Sequence, residues 1–203
     1  MTIRLGKDII LASTSPARLA ILEAAGVTVR TAVSEVDEHP VKVKLVASRA
    51  RAEAVAIALA ELKAEAVSKR EPDALVIGAD QVLDLDGRLF DKPGTREAAR
   101  RQLRELRGRS HRLVSAVALA VAGKVVWKHA ATATLAMRVF SDAFLDAYLD
   151  KAGDAVLGSV GAYHIEGLGA QLFSKVEGDQ FAIRGLPLWP LLDQLRLKAA
   201  ILA

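Results

Sequence analysis

Residues 8–33, DIILASTSPARLAILEAAGVTVRTAV, decide the fold. Asp8–Ser13 is a short apolar run of the length of a buried strand, closed by the polar cluster Ser13-Thr14-Ser15. Pro16 falls in the first turn of a helix, where its missing N–H costs nothing. Leu19, Leu22 and Ala25 then line one side of that helix, and Gly26 ends it. Val27–Val33 reads as a second strand. A strand, a loop, an amphipathic helix and another strand are the start of a sheet covered by helices.

The remainder continues that alternation. Ser34–Pro40 is a polar loop with three carboxylates. Val41–Lys69 is alanine-rich and free of Gly and Pro, which predicts one long helix stopped by Pro72. Ala74–Ala79 reads as a buried strand ending at Asp80-Gln81, and Val82–Phe90 as a hairpin turning at Asp86-Gly87. Thr95 caps a helix over Arg96–Leu106 that Gly108 closes. Ser110–Val121 and Lys124–Met137 form two long strands joined at Gly123. Ser141 caps a helix to about Lys151, a glycine-rich segment leads into a strand-like Ala170–Val176, and Pro187 opens a last helix to about Ala199. The class expected is α/β or α+β, with one mixed central sheet flanked by helices in a single domain spanning 1–203.

Composition narrows the chemistry. Across 203 residues there is no cysteine, so disulfides, thiolate nucleophiles and Cys-based zinc sites are excluded. Asp8 interrupts the N-terminal segment MTIRLGKDII where a signal peptide needs an apolar core. The longest apolar run, Leu113–Ala122, is about half a membrane span. A soluble, cytoplasmic protein without membrane contact is therefore expected. The net charge of +4 suits an anionic substrate. A basic face at Arg96, Arg100, Arg101, Arg104 and Arg107 raises nucleic-acid binding, but a solvated helix surface accounts for it and no nucleic-acid partner is expected.

No Walker A loop, G-x-S-x-G elbow or H-E-x-x-H helix is present. Polar residues instead follow buried strands at Ser13–Arg18, Asp80-Gln81 and Asp91-Lys92, where open α/β sheets bind ligands. At Ser13–Arg18 hydroxyls, free first-turn N–H groups and a guanidinium can cradle phosphate, although Ser13 or Ser15 can equally serve as a plain helix cap. Asp80 needs solvent, a cation partner or a metal. Lys92 has plain solvation as its alternative, and Asp37-Glu38 is either an exposed acidic loop or a Mg²⁺ site. His39, His111, His129 and His164 lack metal-ligand spacing. Cations, hydroxyls and carboxylates at successive strand ends together fit a metal-assisted phosphoanhydride hydrolase.

The segments LASTSPARLAILEAAGV, VDEHP, GADQVL, DKPGTREAARRQLRELRGRSHRLVSAVAL, VGAYHIEGLGAQLF and GLPLWPLLDQL resemble, in order and spacing, those of the Maf family from about Ile9 to Leu195. The resemblance implies a nucleoside triphosphate pyrophosphatase that leaves a monophosphate and pyrophosphate. It also implies two lobes around one cleft, similar to inosine triphosphate pyrophosphatases, a divalent cation (Mg²⁺ or Mn²⁺) and a homodimer. By the same resemblance Ser13 and Arg18 contact phosphate, Asp80 is the proton acceptor, Lys92 is a catalytic cation, and Glu38 with Asp80 holds the metal, while Ser15 beside them is a further substrate-binding candidate. Two positions depart from the family. Ala17 replaces the first of two arginines, and the lysine of the long helix has Glu53 in register, with Arg51 as the nearest substitute. Gln81 and Glu166 resemble the 7-methyl-GTP branch, whereas GAD and GAY resemble the dTTP/UTP branch. A carboxylate can accept paired N–H groups of a guanine edge, which favours 7-methyl-GTP. A nucleotide-binding regulator of cell division without turnover is the alternative of another class.

Overall fold

The structure is a computed structural model that describes residues 8–202. Most of the N-terminal segment weighed as a signal peptide lies outside the described residues. In chain order the elements are β1 (Ile9–Ala12), α1 (Pro16–Ala24), β2 (Arg30–Thr31), α2 (His39–Ala47), α3 (Ala52–Arg70), β3 (Leu75–Leu85) and β4 (Arg88–Phe90). They continue with α4 (Arg96–Leu106), β5 (Ser110–Val121), β6 (Lys124–Met137), α5 (Asp142–Ala152), β7 (Phe173–Glu177), α6 (Gln180–Ile183) and α7 (Leu188–Leu197). Two 3₁₀ segments, Gly153–Gly158 and Leu168–Leu172, lie between α5 and β7.

The seven strands form one open mixed sheet in the order β2-β1-β3-β5-β6-β7, with β4 also on β3. β2, β1 and β3 run parallel, and the other pairings are antiparallel. The expected mixed α/β sheet flanked by helices is what the chain forms. Both hairpins turn where the sequence places them, with positive φ at Asp86-Gly87 and at Ala122-Gly123.

β3 organises the site. One of its edges pairs continuously with β5, from Val76 to Asp84. Its other edge pairs with β1 from Leu75 to Gly78 and with β4 only from Leu83 to Leu85. Ala79–Val82 is therefore left as a gap between the end of β1 and the end of β4. Strand alternation sends Asp80 and Gln81 to opposite faces. Val82, which shares a face with Asp80, packs against the α3 residues Val55, Ala56 and Leu59. Ile77 and Ala79, which share a face with Gln81, pack with Ile21 and Leu22 of α1 and Leu191 and Leu195 of α7. A third core under α4 and α5 gathers Leu83, Leu103, Leu145 and Tyr163.

Several expected boundaries move. β3 does not stop at Asp80-Gln81 but runs through them, because both polar side chains find partners on other elements. The single helix Val41–Lys69 is two helices. Ala50 N donates to Leu45 O and Arg49 N to Val46 O, and Arg49 takes φ 54°, which together close α2 in a Schellman turn without the usual glycine. The strand expected over Val27–Val33 shrinks to Arg30–Thr31, and Ala170–Leu172 belongs to a 3₁₀ segment rather than to a strand. The short α6 has no counterpart among the elements expected from the sequence.

Four of the five arginines of the basic face at α4 are paired rather than free. Arg96, Arg100 and Arg104 meet Asp150, Asp146 and Asp142 of α5, and Arg107 also reaches Asp142. Arg104 and Arg107 hold the Asp142 carboxyl down at about 2.

Candidate active site

Three chain segments converge on the gap in the sheet. Ser13 follows the end of β1, Lys92 lies two residues beyond β4, and Asp80 stands within β3 between them.

Arg18, on the first turn of α1, reaches back into the gap. Its Nη1 donates to Ser13 Oγ at 3.1 Å and to the Ala79 carbonyl at 2.9 Å, and its Nε donates to the Gly185 carbonyl at 2.9 Å. The Ala79 carbonyl is free to accept because β1 ends one residue earlier in register. Burial lowers the Arg18 pKa while nearby Asp80 and Glu38 oppose the shift, and a guanidinium keeps its charge throughout. Ser13 Oγ also accepts from Ser15 N at 3.2 Å. With two donors already directed at it, the hydroxyl has its own proton to offer to an anion. Ser15 is the N-cap of α1, accepting from Arg18 N at 3.4 Å. A groove of about 250 Å³ opens beside these residues, lined by Ser13, Thr14, Ser15 and Pro16 on one side and by Thr31 and Val33 on the other.

On the opposite sheet face Asp80 meets α3. Lys63 Nζ lies 2.7 Å from Asp80 Oδ1 and 3.0 Å from Glu38 Oε1, with the Lys63 and Asp80 side chains each only 12% exposed. The close approach of α3 to the strand depends on Gly78. A Cβ there would fall 2.2 Å from the Ala60 carbonyl oxygen and 2.6 Å from Ala64 N. Two residues on, along the same face, Asp80 is brought against Lys63.

Lys63 is absent from the candidates that the sequence suggests. It lies on the apolar stripe Val55, Leu59, Lys63, Val67, spaced by four, and a lysine on a core-facing stripe is a signal that the sequence itself carries. Arg51, the substitute suggested by the family pattern, is exposed at the N-cap of α3, and its side chain makes no hydrogen bond or ion pair among the described residues. Twelve residues of helix, about 18 Å, separate it from Lys63.

The side chains of the other candidates make no hydrogen bond or ion pair with this cluster among the described residues. Lys92 is exposed next to Asp91, whose carboxylate pairs with Lys42 of α2. Gln81 points to the other sheet face, where its Nε2 donates to Ser115 Oγ, the Ala182 carbonyl and the Ile183 carbonyl. Glu166 is half-exposed in the glycine-rich loop, 3.6 Å from Arg184 Nε. The structure thus gathers Ser13, Arg18, Glu38 and Asp80 with Lys63. It holds Gln81 on internal partners and leaves Arg51 apart.

No group of three His, Asp or Glu side chains converges as a metal cage among the described residues. Glu38 and Asp80 nevertheless place two carboxylates on one ammonium. Hard oxygen donors in that number suit Mg²⁺ or Mn²⁺, whose remaining positions are commonly filled by phosphate oxygens and water.

The chain matches the model of a family described as Maf-like protein over residues 8–198. It is 55% identical over 186 residues to a protein named nucleoside triphosphate pyrophosphatase from Paramagnetospirillum magneticum, covering 92% of this chain and 96% of that one. It is 48% identical over 201 residues to a protein named 7-methyl-GTP pyrophosphatase from Brucella abortus, covering 99% of each. A Caulobacter vibrioides protein named nucleoside triphosphate pyrophosphatase is 50% identical over 191 residues, covering 94% of this chain and 96% of its own length. With the match spanning nearly every element of the sheet and every residue gathered at its gap, the chain belongs to the Maf-like protein family.

Proposed function

We propose that the protein is a nucleoside triphosphate pyrophosphatase that hydrolyses the α–β phosphoanhydride, releasing a nucleoside monophosphate and pyrophosphate. The observation that carries this reading is the juxtaposition, at one gap in the sheet, of Asp80 held by Lys63 and Arg18 held by Ser13 and two carbonyls. The activities named for the relatives from Paramagnetospirillum magneticum and Brucella abortus support it.

The roles follow from the chemistry of the groups. The Ser13 hydroxyl, in the wall of the groove, and Arg18, hydrogen-bonded to it, bind triphosphate oxygens, with the first turn of α1 beneath them. Asp80 spends one oxygen on Lys63, and its second oxygen orients a water molecule toward the α-phosphorus and takes its proton. The bond from that phosphorus to the bridging oxygen breaks, and the β- and γ-phosphates leave as pyrophosphate. Lys63 and Lys92, with Arg18, oppose the negative charge on the phosphate oxygens and on the leaving group. A divalent cation, Mg²⁺ or Mn²⁺, would be held by Glu38 and Asp80 and would supply further charge neutralisation there.

For the base, 7-methyl-GTP is the proposed substrate. Glu166 is a half-exposed carboxylate able to accept two N–H groups from a guanine edge, and the Brucella abortus relative carries that substrate in its name. The test is a panel of 7-methyl-GTP, GTP, dTTP and UTP with Mg²⁺ or Mn²⁺, resolving pyrophosphate, orthophosphate and monophosphate. Pyrophosphate with highest kcat/KM on 7-methyl-GTP is expected. A preference for dTTP or UTP overturns the base, orthophosphate as the product overturns the bond cleaved, and binding without turnover favours the regulatory reading.

A further inference from the structure

β5 is apolar from Leu113 to Val121 except at Ser115, which is completely buried. A hydroxyl in that position costs stability unless it is hydrogen-bonded, so its partners indicate what holds it there. Ser115 stands directly across the ladder from Gln81. Its Oγ donates to the Ala182 carbonyl at 2.6 Å and accepts from Gln81 Nε2 at 2.9 Å. The same amide nitrogen donates to the Ala182 carbonyl at 3.1 Å and the Ile183 carbonyl at 2.9 Å.

These carbonyls end α6, a helix of four residues, far too short to persist by itself. Its C-terminal turn runs directly into Gly185, at φ 98°. Gly185 is the residue whose carbonyl accepts from Arg18 Nε, and a Cβ there would lie 3.3 Å from that nitrogen. Of the three acceptors that fix Arg18, Ser13 and Ala79 belong to β1's exit and to β3. The third is delivered by the α6 turn, and that turn rests on Ser115 and Gln81.

We propose that Ser115 is a positioning residue for Arg18. It seats the end of α6 on the sheet, so that the Gly185 carbonyl sets the angle at which the guanidinium faces the triphosphate. The proposal rests on the reading of Arg18 as a phosphate-binding group.

The test is a double-mutant cycle on pyrophosphate release, with Ser115→Ala measured in the native chain and in the Arg18→Ala chain. In the native background Ser115→Ala lowers kcat/KM about 10-fold, as expected when a charge-stabilising donor is displaced by a fraction of an ångström. In the Arg18→Ala background the same change costs less than about 2-fold, because the group through which it acts is gone. Equal losses in both backgrounds show a general structural role and overturn the proposal while leaving the function intact. No loss in the native background overturns it as well. If Arg18→Ala is as active as the native chain, the reading of Arg18 fails and the proposal fails with it. Should Ser115→Ala not fold, Ser115→Cys, whose slightly larger thiol fills the site and is a weaker donor, carries the same cycle.

Discussion

The ammonium of Lys63, on α3, lies 2.7 Å from the carboxylate of Asp80, on β3, and 3.0 Å from that of Glu38. One cation therefore organises two acidic groups contributed by separate stretches of chain. Replacing Lys63 with Met leaves the buried Asp80 carboxylate without its cation and facing the more exposed Glu38. Removing one partner from so buried a pair costs roughly 3 kcal/mol. Chemical denaturation in EDTA should show that loss, and added Mn²⁺ should recover part of it by supplying the missing positive charge, more in Lys63→Met than in the native chain. The same variant should lose pyrophosphatase activity by about 100-fold or more.

Gly78 sets the depth at which α3 rests on the sheet. A Cβ at this position meets backbone atoms of Ala60 and Ala64 at 2.2 and 2.6 Å, and backbone cannot turn aside as a side chain would. Gly78→Ala should cost about 3 kcal/mol and lower Tm by roughly 6–12 °C. It should also move Lys63 away from Asp80, so that activity falls even at temperatures where the variant stays folded. Thermal denaturation followed by circular dichroism, with activity assayed below the transition, checks both.

His111 supplies a pH dependence. It is buried in the core under α4 with Nε2 at 2.7 Å from Tyr163 Oη and Nδ1 without a partner among the described residues, and burial pulls its pKa from 6.5 to about 4. The unfolded chain takes up a proton near pH 6.5 that the folded chain refuses until about 4. Stability from the neutral ring is therefore complete above about pH 6.5 and is lost as pH falls through that window, by up to about 3 kcal/mol. Urea midpoints between pH 7 and pH 4 should show this slope, and His111→Phe should flatten it. Asp142, held at about 2 by Arg104 and Arg107, adds a separate loss at still lower pH.

Much of this architecture is legible in the sequence, and the parts that are not share a physical cause. The hairpin turns at Asp86-Gly87 and Ala122-Gly123 and the bounds of β5 and β6 follow from local turn chemistry and alternation. Ser13, Arg18 and Asp80 are legible as polar residues placed where apolar runs break. The continuation of β3 through Asp80-Gln81 is not, because the partners that make polar residues tolerable there, Lys63 and Ser115, come from α3 and β5. The division of the long helix is hidden because Arg49, and not a glycine, takes the left-handed position that closes α2. Lys63 is visible as a lysine on an apolar stripe, but its meaning depends on Gly78 and Asp80 lying beneath it, which no local pattern reveals.

The central claim is that Asp80 activates the water that attacks the nucleotide, and it is tested most directly by pyrophosphate release from Asp80→Asn. The substitution keeps the shape of the side chain and removes the base. A fall in kcat of about 100- to 10,000-fold with the fold retained and KM little changed is the expected result. Pyrophosphate release at the native rate by Asp80→Asn would contradict it.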